Sequence, residues 1–321
     1  MIRAGVDISP LRQTRAGTAR HLNALLRELR DREGIEVVSL SFGGAGRASS
    51  LARDAGWYPL ALSARGGLDV LHCPTFRGPL RPRVPTVVTV HDLALVRFPE
   101  LFPAWHRLYR HVLGPVVRAA DLVATVSEFT RQETIELLDV PAGRVRVIGN
   151  GLDPGFGPKG DRAEGDYVLA VGTIEPRKNL PRIAEAARLA GETLRVVGAP
   201  GWGGVEAPGR LGEVSDYELA ALYRGARCVV CASLYEGFGI PVLEAMASGT
   251  PVVTSDGSSL AEVAGGAAVL VDPHEPDSIA AGIREAIARR DELVPLGLER
   301  ARAYTWAGVA DRVEALWREL A

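Results

Sequence analysis

Residues 228–254 read Cys-Val-Val-Cys-Ala-Ser-Leu-Tyr-Glu-Gly-Phe-Gly-Ile-Pro-Val-Leu-Glu-Ala-Met-Ala-Ser-Gly-Thr-Pro-Val-Val-Thr, and they restrict the fold more than any other stretch. The apolar run Cys228–Ala232 predicts a short buried strand. A loop carrying Glu236 and the turn Gly237-Phe238-Gly239 follows. Pro241 suits the start of a helix, where its missing N–H is harmless, and Gly249 suits the end of one. A second apolar strand begins at Pro251. Two glycines ahead of a helix N-terminus let the backbone approach a ligand closely, and the free N–H groups there suit an anion or hydroxyls. Glu236 and Glu244 flank that pocket, with seven residues between them.

The rest of the chain repeats this strand–helix alternation, which predicts parallel α/β sheets. In the first half, strands are expected at Ile2–Ile8, Ile35–Ser41, Leu68–Cys73, Thr86–His91, Leu122–Ser127 and Val145–Ile148, with a helix from about Gly17 to Arg32. In the second half they are expected at Tyr167–Gly172, Thr193–Gly198 and Ala267–Asp272, with helices over Leu180–Ala190, from about Asp216, over Asp277–Arg290 and over Trp306–Leu320. A length of 321 residues exceeds one comfortable core, so two domains are expected. The Gly- and Pro-containing stretch Pro154–Glu164 is the predicted linker. Residues 43–67, rich in Gly, Ala, Ser and Arg, read as an abbreviated part of the first domain.

Charge is divided between the halves. Residues 1–160 hold 21 Lys/Arg against 15 Asp/Glu, and residues 161–321 hold 16 against 24. This favours facing domains and leaves the basic half open to an anionic acceptor or a membrane surface. Over residues 97–118, Phe98, Phe102, Trp105 and Tyr109 alternate with Arg97, Arg107, Arg110 and Arg118. The spacing predicts a core-facing helix with a basic outer face, the sharper reading being a patch for a lipid-linked or anionic acceptor at a membrane. No run of about 18 apolar residues occurs, and the N-terminus reads as a strand, so a cytoplasmic location is expected. The three cysteines argue against a disulfide scaffold. Cys228 and Cys231, three apart on a strand, point to opposite faces and so make a poor metal or redox pair.

Only two lysines occur, Lys159 and Lys178. Lys178 stands in Thr173-Ile-Glu-Pro-Arg-Lys-Asn179, the loop between the first strand and the first helix of the second half. Two adjacent cations beside a helix N-terminus oppose its dipole, so a bound anion is expected, and a diphosphate fits. His91 follows an apolar strand, and ligands of doubly wound sheets sit beyond the carboxyl ends of strands. A structural histidine and a site histidine are both compatible with that position. His72, His106 and His111 are read as structural or solvated. The loop Gln13–Arg20 is not G-x-G-x-x-G, which disfavours a dinucleotide fold.

The pattern Glu236-Gly-Phe-Gly-x-Pro, with Glu244 and then Gly249-x-Pro-Val-Val, resembles the hallmark of retaining glycosyltransferase family 4. The resemblance implies a GT-B fold, two Rossmann-like doubly wound domains facing an interdomain cleft. The implied division is 1–155 as the N-terminal acceptor-side domain, 156–305 as the donor domain, and 306–321 as a helix returning to the first. It implies a hexosyltransferase using a nucleoside-diphosphate sugar, GDP-mannose ahead of UDP-hexoses, and producing cell-surface polysaccharide. Lys178 matches the family's phosphate-binding lysine. The commoner pattern places an arginine where this chain has Thr173, so the arginine role falls to Arg177, as in a mannosyltransferase-like subgroup.

Glu236 would bind donor-sugar hydroxyls, assisted by backbone N–H groups over Gly237, Phe238, Gly239 and Ile240, with Pro241 completing the turn. Glu244 would accept from the ribose, and the backbone near Leu211 and Val214 would lie against the base. Gly17 would approach the donor diphosphate or the acceptor, and His91-Asp-Leu would place His91 near the transferred sugar. Metal-dependent transferases use an Asp-x-Asp element, which is absent here, so no cofactor and no metal are expected. The implied partners are the donor and a glycan, lipid-linked or small-molecule acceptor, with no nucleic acid and with peripheral contact at the inner membrane face left open. A nucleotide-sugar binding protein without transfer activity and a GT-B epimerase remain the competing classes.

Overall fold

The computed structural model describes residues 1–12, 17–44, 46–64 and 66–321. The chain forms two compact units: Met1–Val96, Ala104–Gly151 and Thr305–Ala321 make the first, and Arg97–Pro103 with Leu152–Tyr304 the second. The first carries a parallel sheet of β1 (Ile2–Asp7), β2 (Ile35–Leu40), β3 (Val70–Cys73), β4 (Thr86–Val90), β5 (Leu122–Thr125) and β6 (Val145–Val147), in the order β2-β1-β3-β4-β5-β6. The second carries β7 (Val168–Val171), β8 (Leu194–Val197), β9 (Arg210–Gly212), β10 (Cys228–Cys231), β11 (Val252–Ser255) and β12 (Val269–Val271), in the order β12-β11-β10-β7-β8-β9. Counted within its own unit this is the doubly wound order 3-2-1-4-5-6, which reverses direction between β7 and β10. Helices cover both faces of each sheet, so strands such as β4 and β10 are buried along their whole length and need no polar alternation.

The helices of the first unit are α1 (Gly17–Leu29), α2 (Arg47–Ala52), α3 (Ala94–Arg97, whose last residue falls in the second unit), α4 (Ala104–Arg107), α5 (Arg110–Ala119) and α6 (Glu128–Leu138). Those of the second are α7 (Leu180–Ala190), α8 (Asp216–Gly225), α9 (Ile240–Ala247), α10 (Ser258–Ala264), α11 (Pro276–Ala288) and α12 (Arg290–Arg302). The closing helix α13 (Trp306–Leu320) belongs to the first unit. There Leu22, Leu25 and Leu29 of α1 pack with Val309, Val313 and Trp317 of α13 on one face of the sheet. Trp57, Tyr58, Leu113 and Val116 fill the other. In the second unit Leu180 and Ile183 of α7 share a core with Ile279 and Ile283 of α11.

Three expectations change. Residues 43–67 are not a bare abbreviation, because α2 runs on into a wide helical turn, Arg53–Ala61, that buries Arg53, Trp57 and Tyr58. The helix α12, with Pro295 in its interior, was not predicted. Most consequential, 97–118 is not one core-facing helix. Pro99 and Pro103 withhold two backbone donors, and Phe98 leaves helical geometry at φ −131° and ψ 60°. The segment Arg97–Pro103 joins the second unit instead. There the Trp202 Nε1–H donates to the Leu101 carbonyl (2.8 Å), and Phe98 meets Tyr235 edge-on at 5.8 Å. Beyond it, α4 and α5 turn Trp105, Leu108 and Val112 outward. Among the described residues no helix is long and apolar enough to cross a membrane.

Candidate active site

The reversal point of the second sheet assembles the cations. The loop after β7 carries Glu175, Arg177 and Lys178, and the loop after β10 carries Ser233 and Glu236, so two adjacent parallel strands deliver both loops to the same sheet edge. Backbone contacts tie the loops together. The Leu234 N–H donates to the Arg177 carbonyl (2.8 Å), and the Asn179 side-chain amide donates to the carbonyls of Ala232 (2.9 Å) and Pro273 (2.7 Å). Asn179 caps α7 from the left-handed region (φ 60°), where asparagine is tolerated better than most residues.

Glu236 is the hub. Its Oε1 is ion-paired with Lys178 Nζ and accepts from the Ser233 hydroxyl at 3.0 Å, while its Oε2 accepts from Arg177 Nη1 at 2.7 Å. Arg177 spans two carboxylates, because its Nε meets Glu175 at 2.5 Å. Burial pushes the Glu236 pKa up most strongly of any single influence, but the charges of Lys178 and then Arg177 together outweigh it and hold the pKa at about 2. Glu236 is therefore a carboxylate at neutral pH. The expectation of two uncompensated cations is thus revised: two carboxylates already balance them, because folding brings in Glu236 from across 58 residues of chain.

Gly172 makes room for the lysine. At φ +148° it holds a conformation that side chains resist, and a Cβ there would lie 2.9 Å from Lys178 Cε. Gly172→Ala is expected to lower stability by about 1–3 kcal/mol and to displace the ammonium. Weaker pyrophosphate binding by calorimetry is the readout, and unchanged affinity would disconnect Gly172 from the site.

After Glu236 the chain makes the predicted glycine turn. Gly239, at φ +109°, caps α9, and a Cβ there would meet the Leu260 side chain at 2.6 Å. Ile240 and Pro241 open the helix. Gly237, Phe238 and Gly239 are buried, and the Ser259 hydroxyl holds the Glu236 carbonyl at 2.8 Å. Glu244, in the second turn of α9, is buried, and its Oε2 accepts from the Tyr223 hydroxyl of α8 at 2.8 Å. Leu211 lies on the edge strand β9 with Val214 just beyond it, outside this hydrogen-bonded cluster, and Leu211 is 48% exposed.

In the first unit Gly17 opens α1, and the predicted glycine loop ahead of it, Gln13–Ala16, lies outside the described residues. His21, one turn after Gly17, meets the His91 ring edge-on at 5.1 Å and the Trp306 ring at 5.2 Å, and its Nδ1–H donates to Asn150 Oδ1 (2.5 Å). His91 sits just past β4, and its Nε2 lies 2.9 Å from the Pro74 carbonyl. A carbonyl can only accept, so Nε2 carries the proton and Nδ1 is the acceptor nitrogen. Burial lowers the His91 pKa, against the opposing influence of that bond and of Asp92.

Sequence reasoning quoted Glu175 and Ser233 without giving them a role. The signal for Glu175 was its adjacency to Pro176-Arg177, which invites a local ion pair; for Ser233 there was none before the loop conformation was known. Cys228 and Cys231 are both buried, and burial pushes each thiol up to about 12, so they are inert packing residues.

Two Rossmann-like units, one with paired cations and a carboxylate at its reversal point, are the architecture of a GT-B glycosyltransferase. The family profile "Glycosyl transferases group 1" matches residues 210–299, and "Glycosyltransferase Family 4" matches residues 15–156. The chain is 33% identical over 270 residues to the O-antigen chain mannosyltransferase B of Escherichia coli, covering 74% of this chain and 71% of that protein. It is 28% identical over 263 residues to the serotype-specific mannosyltransferase WbdA of the same species, covering 70% of this chain but spanning only 32% of that protein's length. In fold it is similar to sucrose-phosphate synthase from Thermosynechococcus elongatus, with a TM-score of 0.81 at 20% identity over 100% of this chain and 99% of that one. The chain belongs to glycosyltransferase family 4, and it is a glycosyltransferase.

Proposed function

We propose that this glycosyltransferase moves a hexosyl group, mannosyl first, from a nucleoside-diphosphate sugar to an acceptor hydroxyl with retention of configuration and without a metal ion. The supporting observation is the clamping of Glu236 between Lys178 and Arg177 at the sheet reversal. A diphosphate carries more negative charge than one carboxylate, so it takes over Lys178 and the Arg177 Nη1 contact while Glu175 keeps its hold on Arg177 Nε. Glu236, released, turns to the donor-sugar hydroxyls. Backbone N–H groups at the start of α9 and the two side chains stabilise the charge that builds on the departing diphosphate. Glu244 serves the ribose, the backbone at Leu211 and Val214 serves the base, and Gly17 approaches the diphosphate or the acceptor. His91 orients the sugar through Nδ1.

The C1–O bond to phosphate breaks as the acceptor oxygen bonds to C1 from the same face, and the acceptor proton passes to the departing phosphate oxygen. A double displacement needs a free carboxylate nucleophile. In the loaded site Glu236 is instead committed to the donor-sugar hydroxyls, and the family resemblance favours the same-face route. The mannosyl preference rests on the mannosyltransferases this chain resembles, as does a glycan or lipid-linked acceptor.

A panel of nucleotide sugars scored by thermal shift is the test. GDP-mannose at 100 times its dissociation constant is expected to stabilise by about 2.7 kcal/mol, with chelator present or absent. A larger shift with a UDP-hexose would reassign the donor, and loss of the shift with chelator would remove the metal-free reading. Product of inverted configuration by NMR would exclude retention. Nucleoside diphosphate released only when acceptor is present separates a transferase from a passive binder.

Glu236→Gln gives a prediction with an unusual sign. Removing the carboxylate leaves Lys178 and Arg177 short of one anion and lowers stability by about 3–5 kcal/mol. Inorganic pyrophosphate is then expected to stabilise the variant more than the parent, because it displaces nothing, while sugar transfer is lost. Equal pyrophosphate shifts in the two proteins would show that Glu236 does not occupy the anion's place.

A further inference from the structure

The second unit holds Glu244 through a tyrosine to which the donor chemistry above gives no part. Tyr223, in the last turn of α8, is buried, and its hydroxyl donates to Glu244 Oε2 at 2.8 Å. A buried hydroxyl and a buried carboxylate both lose water on folding, and the bond between them compensates each. Local sequence puts the tyrosine in place. Ser215 and Glu218 form a capping box that starts α8 at Asp216, and helical spacing then sets Leu219, Ala220 and Tyr223 on one buried face.

Tyr223 is itself fixed at two further points. Its carbonyl accepts from the Thr250 hydroxyl at 2.6 Å, so one residue grips α9 at Glu244 and again just past its end. Its ring meets the ring of Phe156 edge-on at 5.8 Å. Phe156 is buried near the start of the stretch Leu152–Tyr304, and the residues after it are bound to α8. Arg224 donates from Nε to the Asp161 carbonyl (2.6 Å) and from Nη1 to that of Gly157 (3.2 Å), and the Ala163 N–H donates to the Ala221 carbonyl (3.0 Å). The packing is close: a Cβ on Gly225 would lie 2.2 Å from the Ala163 carbonyl. Residues 156–163 thus brace the end of α8 that carries Tyr223.

A ribose offers two adjacent hydroxyls as donors. A carboxylate oxygen has two lone pairs, so Glu244 Oε2 can accept from Tyr223 and from a ribose hydroxyl together. What the tyrosine fixes is the plane of the carboxylate, and a group held in its binding orientation gives up less freedom when ligand arrives. We propose that Tyr223 is a positioning residue for nucleotide recognition, orienting Glu244 toward the ribose 2′- and 3′-hydroxyls while Phe156 holds its ring. This rests on the reading that Glu244 serves the ribose, and it makes the ribose contact the work of a hydroxyl–carboxylate pair spanning α8 and α9.

Tyr223→Phe keeps the ring and removes one oxygen. Calorimetry compares it with the parent against GDP, 2′,3′-dideoxy-GDP and inorganic pyrophosphate, the uridine pair replacing the guanosine pair if the donor panel selects UDP. GDP binding is expected to weaken roughly three- to tenfold, the range of one hydrogen bond. The dideoxynucleotide and pyrophosphate carry no ribose hydroxyl for Glu244 and should bind both proteins alike. A loosened fold would weaken all three ligands equally, and that result overturns the proposal. Phe156→Leu is expected to lower the preference for GDP over its dideoxy form by a smaller factor. Glu244→Gln separates the proposal from the reading beneath it. Loss of that preference in Glu244→Gln but not in Tyr223→Phe would show that Glu244 reads the ribose unaided, which overturns the positioning role alone. An intact preference in Glu244→Gln would remove the ribose reading itself. In the Glu244→Gln background Tyr223→Phe should change the preference little, and a full additional loss would show that the tyrosine acts by another route.

Discussion

Replacing Lys178 with alanine is expected to cut turnover by about a hundred- to a thousandfold while the protein stays folded, the loss typical of removing one preorganised donor from a developing negative charge. The physical basis is the cluster at the β7/β10 reversal. Lys178 Nζ is paired with Glu236, its stem passes over Gly172, and its loop is tied to the next by the Leu234–Arg177 backbone bond. The ammonium is held before substrate arrives and costs little to position during the reaction. Because it holds the ground-state diphosphate and the charge it meets grows further toward the transition state, kcat should fall and the donor KM rise, so that kcat/KM falls more than kcat. Lys178→Arg is expected to recover only part of the rate, since a planar guanidinium does not occupy the place of a compact ammonium. Wild-type turnover in a folded Lys178→Ala protein would remove the electrostatic account of donor activation.

The second large effect is acid instability of the first unit. His21 and His72 are buried and neutral, each with its pKa lowered to about 3. Burial is the main cause for both. Each ring is also locked in one tautomer. His72 Nδ1 accepts from the Trp317 indole N–H at 3.2 Å, which leaves its Nε2–H to donate to Thr89 Oγ1 at 2.8 Å, and His21 uses its Nδ1–H on Asn150. The unfolded chain takes up a proton at each ring near pH 6.5, whereas the folded unit refuses it until about pH 3. Stability is therefore complete above about pH 6.5 and declines as pH falls through that window.

By pH 5 each histidine removes about 2 kcal/mol, so the pair removes about 4, a large part of a typical domain's stability. His91, also lowered, acts in the same direction. Glu236, held at about 2, keeps the cluster of the second unit charged throughout. Four of the five tryptophans (Trp57, Trp105, Trp306 and Trp317) lie in the first unit, so intrinsic fluorescence follows its unfolding. Denaturant midpoints at pH 5 should fall well below those at pH 7. His21→Gln and His72→Gln should each flatten that dependence whatever their stability at pH 7. Equal midpoints at the two pH values would mean that the rings titrate normally in the folded protein.

The strands were legible because each is a run of apolar residues bounded by Gly, Pro or a polar cap, and β1 to β6 lie where the runs do. The closing helix begins and ends at Trp306 and Leu320 as its spacing predicts, because Thr305 caps it and its apolar positions recur at the helical period. Residues 97–118 were misread because helical periodicity does not weigh what Pro99 and Pro103 forbid. The histidines were only half legible: His72 reads as structural or solvated, the structure buries it, and nothing local to it announces Trp317, 245 positions away.

From residue order alone came the alternation that makes parallel α/β sheets, the Glu236–Gly249 pattern that carries the family, and the chemical identities of Arg177, Lys178, Glu236 and His91. Those follow from local rules: periodicity, capping, and the kinds of atoms each side chain owns. Only the tertiary structure decided that Glu236 neutralises both cations, that Arg97–Pro103 packs with the second unit, that His21 and His72 are sealed in as neutral rings, and that Trp105 and Leu108 face outward. Each of those depends on which distant residues share a neighbourhood. Burial and Coulomb energies are set by that neighbourhood in space, and short-range sequence patterns do not encode it.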